Sequence, residues 1–421
     1  MEHVRSLACV VCGKEYAPDA IDYVCPDHGY DGIVDVQYDY DYVAALIGRD
    51  DLAVESERSM WRYKPLLPVE PESPEPPLAV GWTPLYWAPR LAAGLGLQRV
   101  WVKDDGRQPT ASFKDRASAL AVVKAREKGA EIVTTASTGN AAAALAGLAA
   151  SVELPTVIFV PAAAPPAKIA QLLAYGATVL LVDGTYDDAF ELCLVAADHF
   201  GWYNRNTAYN PYMAEGKKTA AYEIAEQLGW IAPDAVFVSV GDGCIIAGLH
   251  KGFKDMLALG WIDRMPRLYG VQAAGSNYLA EAWANGEDVM AKPPIEAHTV
   301  ADSISAGLPR DRVKAMAAVV ETGGAWVTVS DDEILAAVPA QARGSGVFGE
   351  PAGAAAYAGL VRAAADGVLS KDDDIVVLNT GSGLKDVAAA MRAVENAGTE
   401  ALHVAPSLEA VQEALETRNP T

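Results

Sequence analysis

"EIVTTASTGNAAAALAGLAASVELPTVIFVPA", residues 131–162, decides the fold. The β-branched run from Ile132 to Thr135 suits a strand. The alanine-rich run after Asn140 suits a buried helix. Past Pro155 a second Val- and Ile-rich run suits another strand. A strand, a helix and a strand in direct succession make a βαβ unit, and strands this apolar belong to a parallel sheet covered on both faces.

The alternation continues outward. Upstream, "RVWVKDD" (99–105) reads as a strand and "SFKDRASALAVVKAREKG" (112–129) as an amphipathic helix ending at Gly129. Downstream, "AKIAQLLAYGA" (167–177) and "TYDDAFELCLVAADHFG" (185–201) read as helices around the strand "TVLLVDG" (178–184). Further on, "AVFVSVGDG" (235–243) and "DIVVLNTGSG" (374–383) are buried strands that run straight into glycine turns. The fold class is therefore α/β. Open α/β sheets bind ligands at the carboxyl ends of their strands, so these turns are the first places to look for chemistry.

With 421 residues, 51% of them hydrophobic, the chain can build two or three domains with real cores. A net charge of -22 argues against nucleic acid and anionic membrane as partners. An anionic substrate would need a site that is a local exception to that field. The start, "MEHVRSLACVVCG", lacks the apolar core of a secretory signal, and no apolar run is long enough to span a bilayer. A cytoplasmic protein is the expectation.

Four stretches carry chemistry. "PTASFKDRAS" (109–118) places Lys114 after small hydroxylated residues, either as a surface charge at a helix start or as an amine for covalent work on a carbonyl. In "VFVSVGDGCIIAGLHKGF" (236–253) the turn Gly241-Asp242-Gly243-Cys244-Ile245 precedes a helix. Backbone N–H groups there make an anion site, although a plain tight turn explains the glycines too. "TTASTGNAAAALAG" (134–147) puts Ser137, Thr138 and Asn140 between strand and helix, as caps or as carboxylate ligands. "VVLNTGSGLKD" (376–386) ends a strand at Thr380, before glycines that a turn explains by itself; the Thr380 hydroxyl also suits a heteroaromatic nitrogen. A reactive amine, a phosphate cup and a partner for a ring nitrogen are together what pyridoxal phosphate requires.

With these stretches stand "GWTPLYWAPRLAAGLGLQRVWVKDDG" (81–106), "NPYMAEGKKTAAYEI" (210–224), "GVQAAGSN" (270–277) and "FGEPAGAAAYAGL" (348–360). On them the chain resembles the fold-type II, tryptophan synthase β-like pyridoxal-phosphate enzymes, and among these most the threonine synthase family. The resemblance implies two parallel-sheet α/β domains and a homodimer. It implies that Lys114 joins the cofactor's aldehyde and later takes the substrate's α-proton. Asn140 would bond the cofactor's 3′ oxygen, Gly241, Asp242, Gly243, Cys244 and Ile245 would hold its phosphate, and Thr380 would face its pyridine nitrogen. Ser137 and Thr138 would take the carboxylate of a small amino-acid substrate. The implied reaction is O-phospho-L-homoserine and water to L-threonine and phosphate. Threonine or serine ammonia-lyases, a sulfite-using cysteate synthase and a non-catalytic amino-acid-binding relative are alternatives on the same fold.

The implied division is 1–45 for an N-terminal cysteine unit, 46–117 for a Pro-rich strap and the start of the large domain, 118–210 for the small domain with the carboxylate loop, 211–400 for the rest of the large domain, and 401–421 for a helix and tail. Departures from the family pattern bear on substrate. Met213 fills a slot where phosphohomoserine-using members often have arginine. Lys217 and Lys218, and Arg205 before them, offer the missing charge, with a solvated helix face as the other reading. Ala111 stands where glycine is common, Gln108 where asparagine is common, and Ser382 where some members have histidine.

"CVVCGKEYAPDAIDYVCPDHG" (9–29) supplies Cys9-x2-Cys12 and Cys25-x2-His28. Two such knuckles suit a tetrahedral structural zinc site, and a ribbon without metal is the alternative. Four protein ligands leave no open position, so no catalytic role is expected there.

Overall fold

A computed structural model describes residues 1–164 and 166–418. Residues 419–421, the end of the expected tail, lie outside the described residues. The chain opens with β1 (Val4–Cys9), β2 (Glu15–Tyr16) and β3 (Val34–Tyr38), an antiparallel sheet in the order β2-β1-β3. Next come β4 (Leu85–Trp87) and β5 (Arg99–Asp104), then β6 (Val133–Ala136), β7 (Thr156–Pro161), β8 (Thr178–Val182) and β9 (Tyr203–Asn204). The last strands are β10 (Ala235–Ser239), β11 (Arg267–Ala273), β12 (Trp326–Val329) and β13 (Asp374–Asn379).

Two further sheets form, in the orders β12-β11-β10-β13-β5-β4 and β8-β7-β6-β9. Both are parallel apart from the antiparallel edge strand β4. The opening stretch folds as read, with β6 and β7 joined by a helix from Asn140 to Ala150. Every residue of β6 and β10 is buried, as strands covered on both faces require. A 3-10 helix, Met60–Leu66, whose first turn is capped by Ser59, leads into the Pro-rich strap.

The helix Tyr212–Gln227 is buried from Tyr212 to Ala225. It lies against the helices Lys114–Glu127 and Cys244–Ala258. Glycine allows this closeness: a Cβ on Gly216 would collide with the Arg116 carbonyl, and one on Gly248 would sit 2.8 Å from the Lys217 Cβ. The N-terminal sheet shares the main core with this helix layer. Leu7, Val34, Val36 and Tyr38 belong to the same apolar cluster as Tyr222, Leu249 and Phe253. Among the described residues no helix is long and apolar enough to cross a membrane.

Candidate active site

Strand β10 ends at Ser239 and leads through Gly241–Gly243 into the helix that starts at Cys244. Gly243 takes φ +91°, which glycine adopts without strain. A Cβ on Gly241 would lie 2.8 Å from Ile304 Cα, and one on Gly243 2.6 Å from the Ala315 Cβ. The turn is thus bare backbone, and the first N–H groups of its helix have no intrahelical acceptor. Lys114, Asn140 and Thr380 line one cavity together with Gly241, Asp242, Gly243, Cys244 and Ile245.

Local structure fixes these positions. Lys114 opens the helix Lys114–Glu127, and the preceding Phe113 N–H donates to the Thr380 carbonyl at 2.9 Å. The Ser382 N–H donates to the Ala111 carbonyl at 3.0 Å. Ala111 has φ +65°, so the position where glycine is common is a left-handed one that alanine occupies at a cost of roughly 1 kcal/mol. Burial disfavours the charged form of Lys114 and lowers its pKa, the more so for Arg205 nearby. A neutral amine is the form that can attack a carbonyl or accept a proton.

Asn140 donates from Nδ2 to Glu350 Oε1 at 2.6 Å and to Ser303 Oγ at 3.4 Å. Glu350 also lines the cavity, and burial pushes its carboxyl up to about 7 against the pull of the Asn140 hydrogen bond. Sequence reading missed Glu350 as a site residue. Its signal was present in "FGEPAGA": a carboxylate directly before the proline that starts the helix Pro351–Ala365. Thr207, another cavity residue, gave no signal of its own.

The expected substrate ligands separate. Ser137 and Thr138 are half-buried at the end of β6, outside the residues that line the cavity, and Ser137 Oγ accepts the Gly139 N–H at 3.3 Å. Lys217 is buried and donates to Thr207 Oγ1 at 2.8 Å. Lys218 does not join it. Its Nζ lies 2.7 Å from Glu215, 2.8 Å from Asp255 and 3.9 Å from the centre of the Tyr38 ring. Neighbouring residues on a helix point about 100° apart, so one of two adjacent lysines had to face away from the site. Both are buried, which removes the solvated-face reading. Met213 is fully buried in the main apolar cluster.

At the other end, Cys9, Cys12, Cys25 and His28 offer ligand atoms within 4.8 Å of one another. Cys9 and Cys25 are buried, Cys12 and His28 exposed, and all five cysteines of the chain are free thiols. Gly13, at φ +71°, lets the first knuckle turn so that its N–H reaches the Cys9 carbonyl at 2.9 Å.

Residues 77–381 match the family of pyridoxal-phosphate dependent enzymes. The chain is also 39% identical to a threonine synthase of Methanosarcina acetivorans, over 97% of this chain and 98% of that one. It is 38% identical to a threonine synthase of Methanocaldococcus jannaschii, over 92% and 94%. The chain belongs to the threonine synthase family. Solved structures share the fold. The processed form of threonine deaminase isoform 2 from Solanum lycopersicum superposes with a TM-score of 0.64 at 26% identity, covering 75% of this chain and 83% of that one. Maize serine racemase gives a TM-score of 0.61 at 21% identity, covering 75% and 94%.

Proposed function

We propose that the chain makes L-threonine and phosphate from O-phospho-L-homoserine and water. The observation that carries this is one cavity in which Lys114 faces the bare-backbone turn Gly241–Ile245. These residues fit pyridoxal phosphate. The turn is bare backbone packed so closely on Ile304 and Ala315 that neither Gly241 nor Gly243 has room for a Cβ, which suits a phosphate cradle, and Lys114 is the amine its aldehyde needs. When bound, the cofactor supplies a ring that takes up the electrons released at the substrate's Cα.

The chain's own residues do the rest. Lys114 Nζ removes the proton from Cα, a task for an amine whose charged form is disfavoured. A proton also leaves Cβ, the Cγ–O bond to phosphate breaks, a proton is added at Cγ, water adds its hydroxyl at Cβ and gives its other proton to the phosphate released, and a proton returns to Cα. Glu350, able to hold a proton at neutral pH, is the second proton carrier in the cavity. Asn140 fixes Glu350 and would hold the cofactor's 3′ oxygen. Thr380, which lines the cavity, would offer the ring nitrogen a hydroxyl, and such a neutral partner would favour elimination over transamination. Ser137 and Thr138 take the substrate carboxylate when the 118–210 unit closes on the body and excludes water.

The set Cys9, Cys12, Cys25 and His28 has the softness and number for a structural zinc ion. A homodimer in the cytoplasm, divided at the boundaries given above, completes the proposal. The test is an end-point assay of the purified holoenzyme with O-phospho-L-homoserine. Phosphate and threonine in equal amounts are expected. Ammonia from threonine or serine, or a product formed only with O-phosphoserine and sulfite, would reassign the substrate.

A further inference from the structure

Val10 stands between Cys9 and Cys12 in the first knuckle, and Ile33 follows the second, just after Gly32. Hydrogen bonds tie these segments together. The Val10 N–H donates to the Ile33 carbonyl at 3.0 Å, and the Cys25 N–H to the Gly32 carbonyl at 2.7 Å. Gly32 sits so close to the second knuckle that a Cβ there would lie 2.9 Å from the Cys25 Cβ. Val10 and Ile33 stay outside the main core. Val10 packs against a small separate cluster made by Ile33, Ala208 and Cys244.

That cluster supports the cofactor cradle from two sides. Cys244 is the first residue of the helix after the glycine turn, and it lines the cavity. Ala208 follows Thr207, another cavity residue. Ala208 has φ +64°, a left-handed conformation that a residue other than glycine keeps only where its surroundings hold it. The N-terminal unit supplies part of those surroundings. Tyr23 stacks on Tyr209 with ring centres 4.7 Å apart, and its hydroxyl accepts the Asn204 N–H at 2.9 Å. A further contact reaches the turn itself. Asp31 accepts from Arg312 Nη2 at 2.5 Å, and the N–H of the neighbouring Asp311 donates to the Asp242 carbonyl at 2.8 Å.

Between Val10 and Ile33 the regular structure is slight: the two residues of β2 and the 3-10 turn Gly29–Asp31. So short a stretch has too small a core to order itself and depends on a cross-link. The ligand set Cys9, Cys12, Cys25 and His28 is placed to supply one. We propose that Val10, Asp31 and Ile33 are positioning residues for the cofactor cradle, so that zinc at the knuckles and the cofactor's phosphate at Gly241–Ile245 strengthen each other's binding. This rests on the metal site proposed above for the cross-link, and on the packing against Cys244 and Ala208 for its effect. Such a coupling is reciprocal: whatever factor zinc adds to cofactor affinity, the cofactor adds to zinc affinity.

The experiment measures the affinity of the full chain for pyridoxal phosphate, by absorbance of its bound form, with zinc present, after a chelator has withdrawn it, and after its return. Withdrawal should weaken cofactor binding by about 5- to 150-fold, and return should restore it. Competition with a coloured chelator should show zinc held more tightly, by the same factor, when the cofactor is bound. Val10→Ala takes away two methyl groups, and with zinc retained it should weaken cofactor binding roughly three- to tenfold. Val11→Ala, in the same knuckle but at an exposed position, should change neither zinc nor cofactor binding. A chain that holds zinc yet binds the cofactor equally well without it would overturn the inference and leave the metal site standing. A chain that takes up no zinc would sink the metal site and the coupling with it. If the stripped chain unfolds, the two variants decide in the loaded protein. Equal cofactor affinity in both overturns the inference, and a loss confined to Val10→Ala upholds it.

Discussion

Lys217 and Lys218 are adjacent, equally buried and on one helix, yet they live in opposite electrostatic worlds. Lys218 belongs to a balanced cluster. Glu215 and Asp255 flank it, Lys251 reaches Asp35 at 2.6 Å and Glu215 at 3.3 Å, and Tyr40 donates to Asp255 at 2.6 Å. Lys217 donates to Thr207, a cavity residue, with Lys114 and Arg205 disfavouring its charge, and among the described residues no carboxylate pairs with it. A buried charge that is paired holds the fold together, and a buried charge that is not paired weakens the fold and waits for a ligand. The N-terminal unit supplies the difference, since Asp35, Tyr38 and Tyr40 all come from it.

Substitution on the unpaired side should remove function and spare the fold. The largest effect is expected for Lys114→Ala, with turnover down about 10^4-fold and the visible absorbance of the bound cofactor lost. The urea midpoint of the apo protein should stay the same or rise. A collapse of stability in this variant would mean that the cavity cations are structural after all, and the contrast would fail.

On the paired side the order reverses. Lys218→Met should destabilise the apo protein by about 3–5 kcal/mol in urea denaturation, because it leaves Glu215 and Asp255 buried with too little positive charge. Lys217→Met should stabilise it instead, by an amount on the order of a few kcal/mol. The sign follows from linkage. Folding lowers the Lys217 pKa to about 7 from an unfolded value near 10.5, so the native state sheds the proton. The penalty is full below pH 7, shrinks as pH rises from 7, and is gone above 10.5. The gain from Lys217→Met should follow that window, and a gain independent of pH would mean that packing, not charge, is what the substitution relieves.

Glu350→Gln sharpens the same argument from the acid side and with a smaller effect. Its folded pKa of about 7 lies above the unfolded value near 4.5, so its stability contribution is present below pH 4.5 and is lost as pH rises through 7. The amide should therefore stabilise the apo protein at pH 8 and change little at pH 4.5, by thermal melts at both values. Turnover should fall, with the loss of the pH dependence that Glu350 contributes.

How much of this was legible in the sequence divides along a physical line. The strands β6, β7, β10 and β13 announce themselves because buried parallel strands are continuous apolar runs. The turn Gly241–Ile245 and Lys114 are local motifs, and their meeting in one cavity follows from the strand-end rule. The roles of Lys217 and Lys218 were not legible, since "KK" carries no sign of which side faces carboxylates brought from residues 35, 215 and 255. Glu350 stands in a quoted motif, but nothing in the sequence around it places its carboxylate in the cavity. The shared core of the N-terminal unit was hidden because its apolar residues, such as Leu7 and Val36, alternate as in any small sheet.

That unit gives the finest test. Tyr38 ends β3, donates to Glu215 Oε2 at 2.6 Å, and holds its ring against Lys218 and 5.7 Å from Lys251. Tyr38→Phe removes only the hydroxyl. Glu215 keeps two lysines, so the cost should be about 1–2 kcal/mol, the lower part of the range for a hydrogen bond to a charged acceptor. Tyr38→Leu also removes the ring face, and the further loss of about 1–2 kcal/mol would measure the cation–π contact. In a double-mutant cycle with Lys218→Met the ring contribution should vanish, because no ammonium is left over it. If it persists undiminished, the ring acts as packing for the shared core, and the cluster is held by its carboxylates alone.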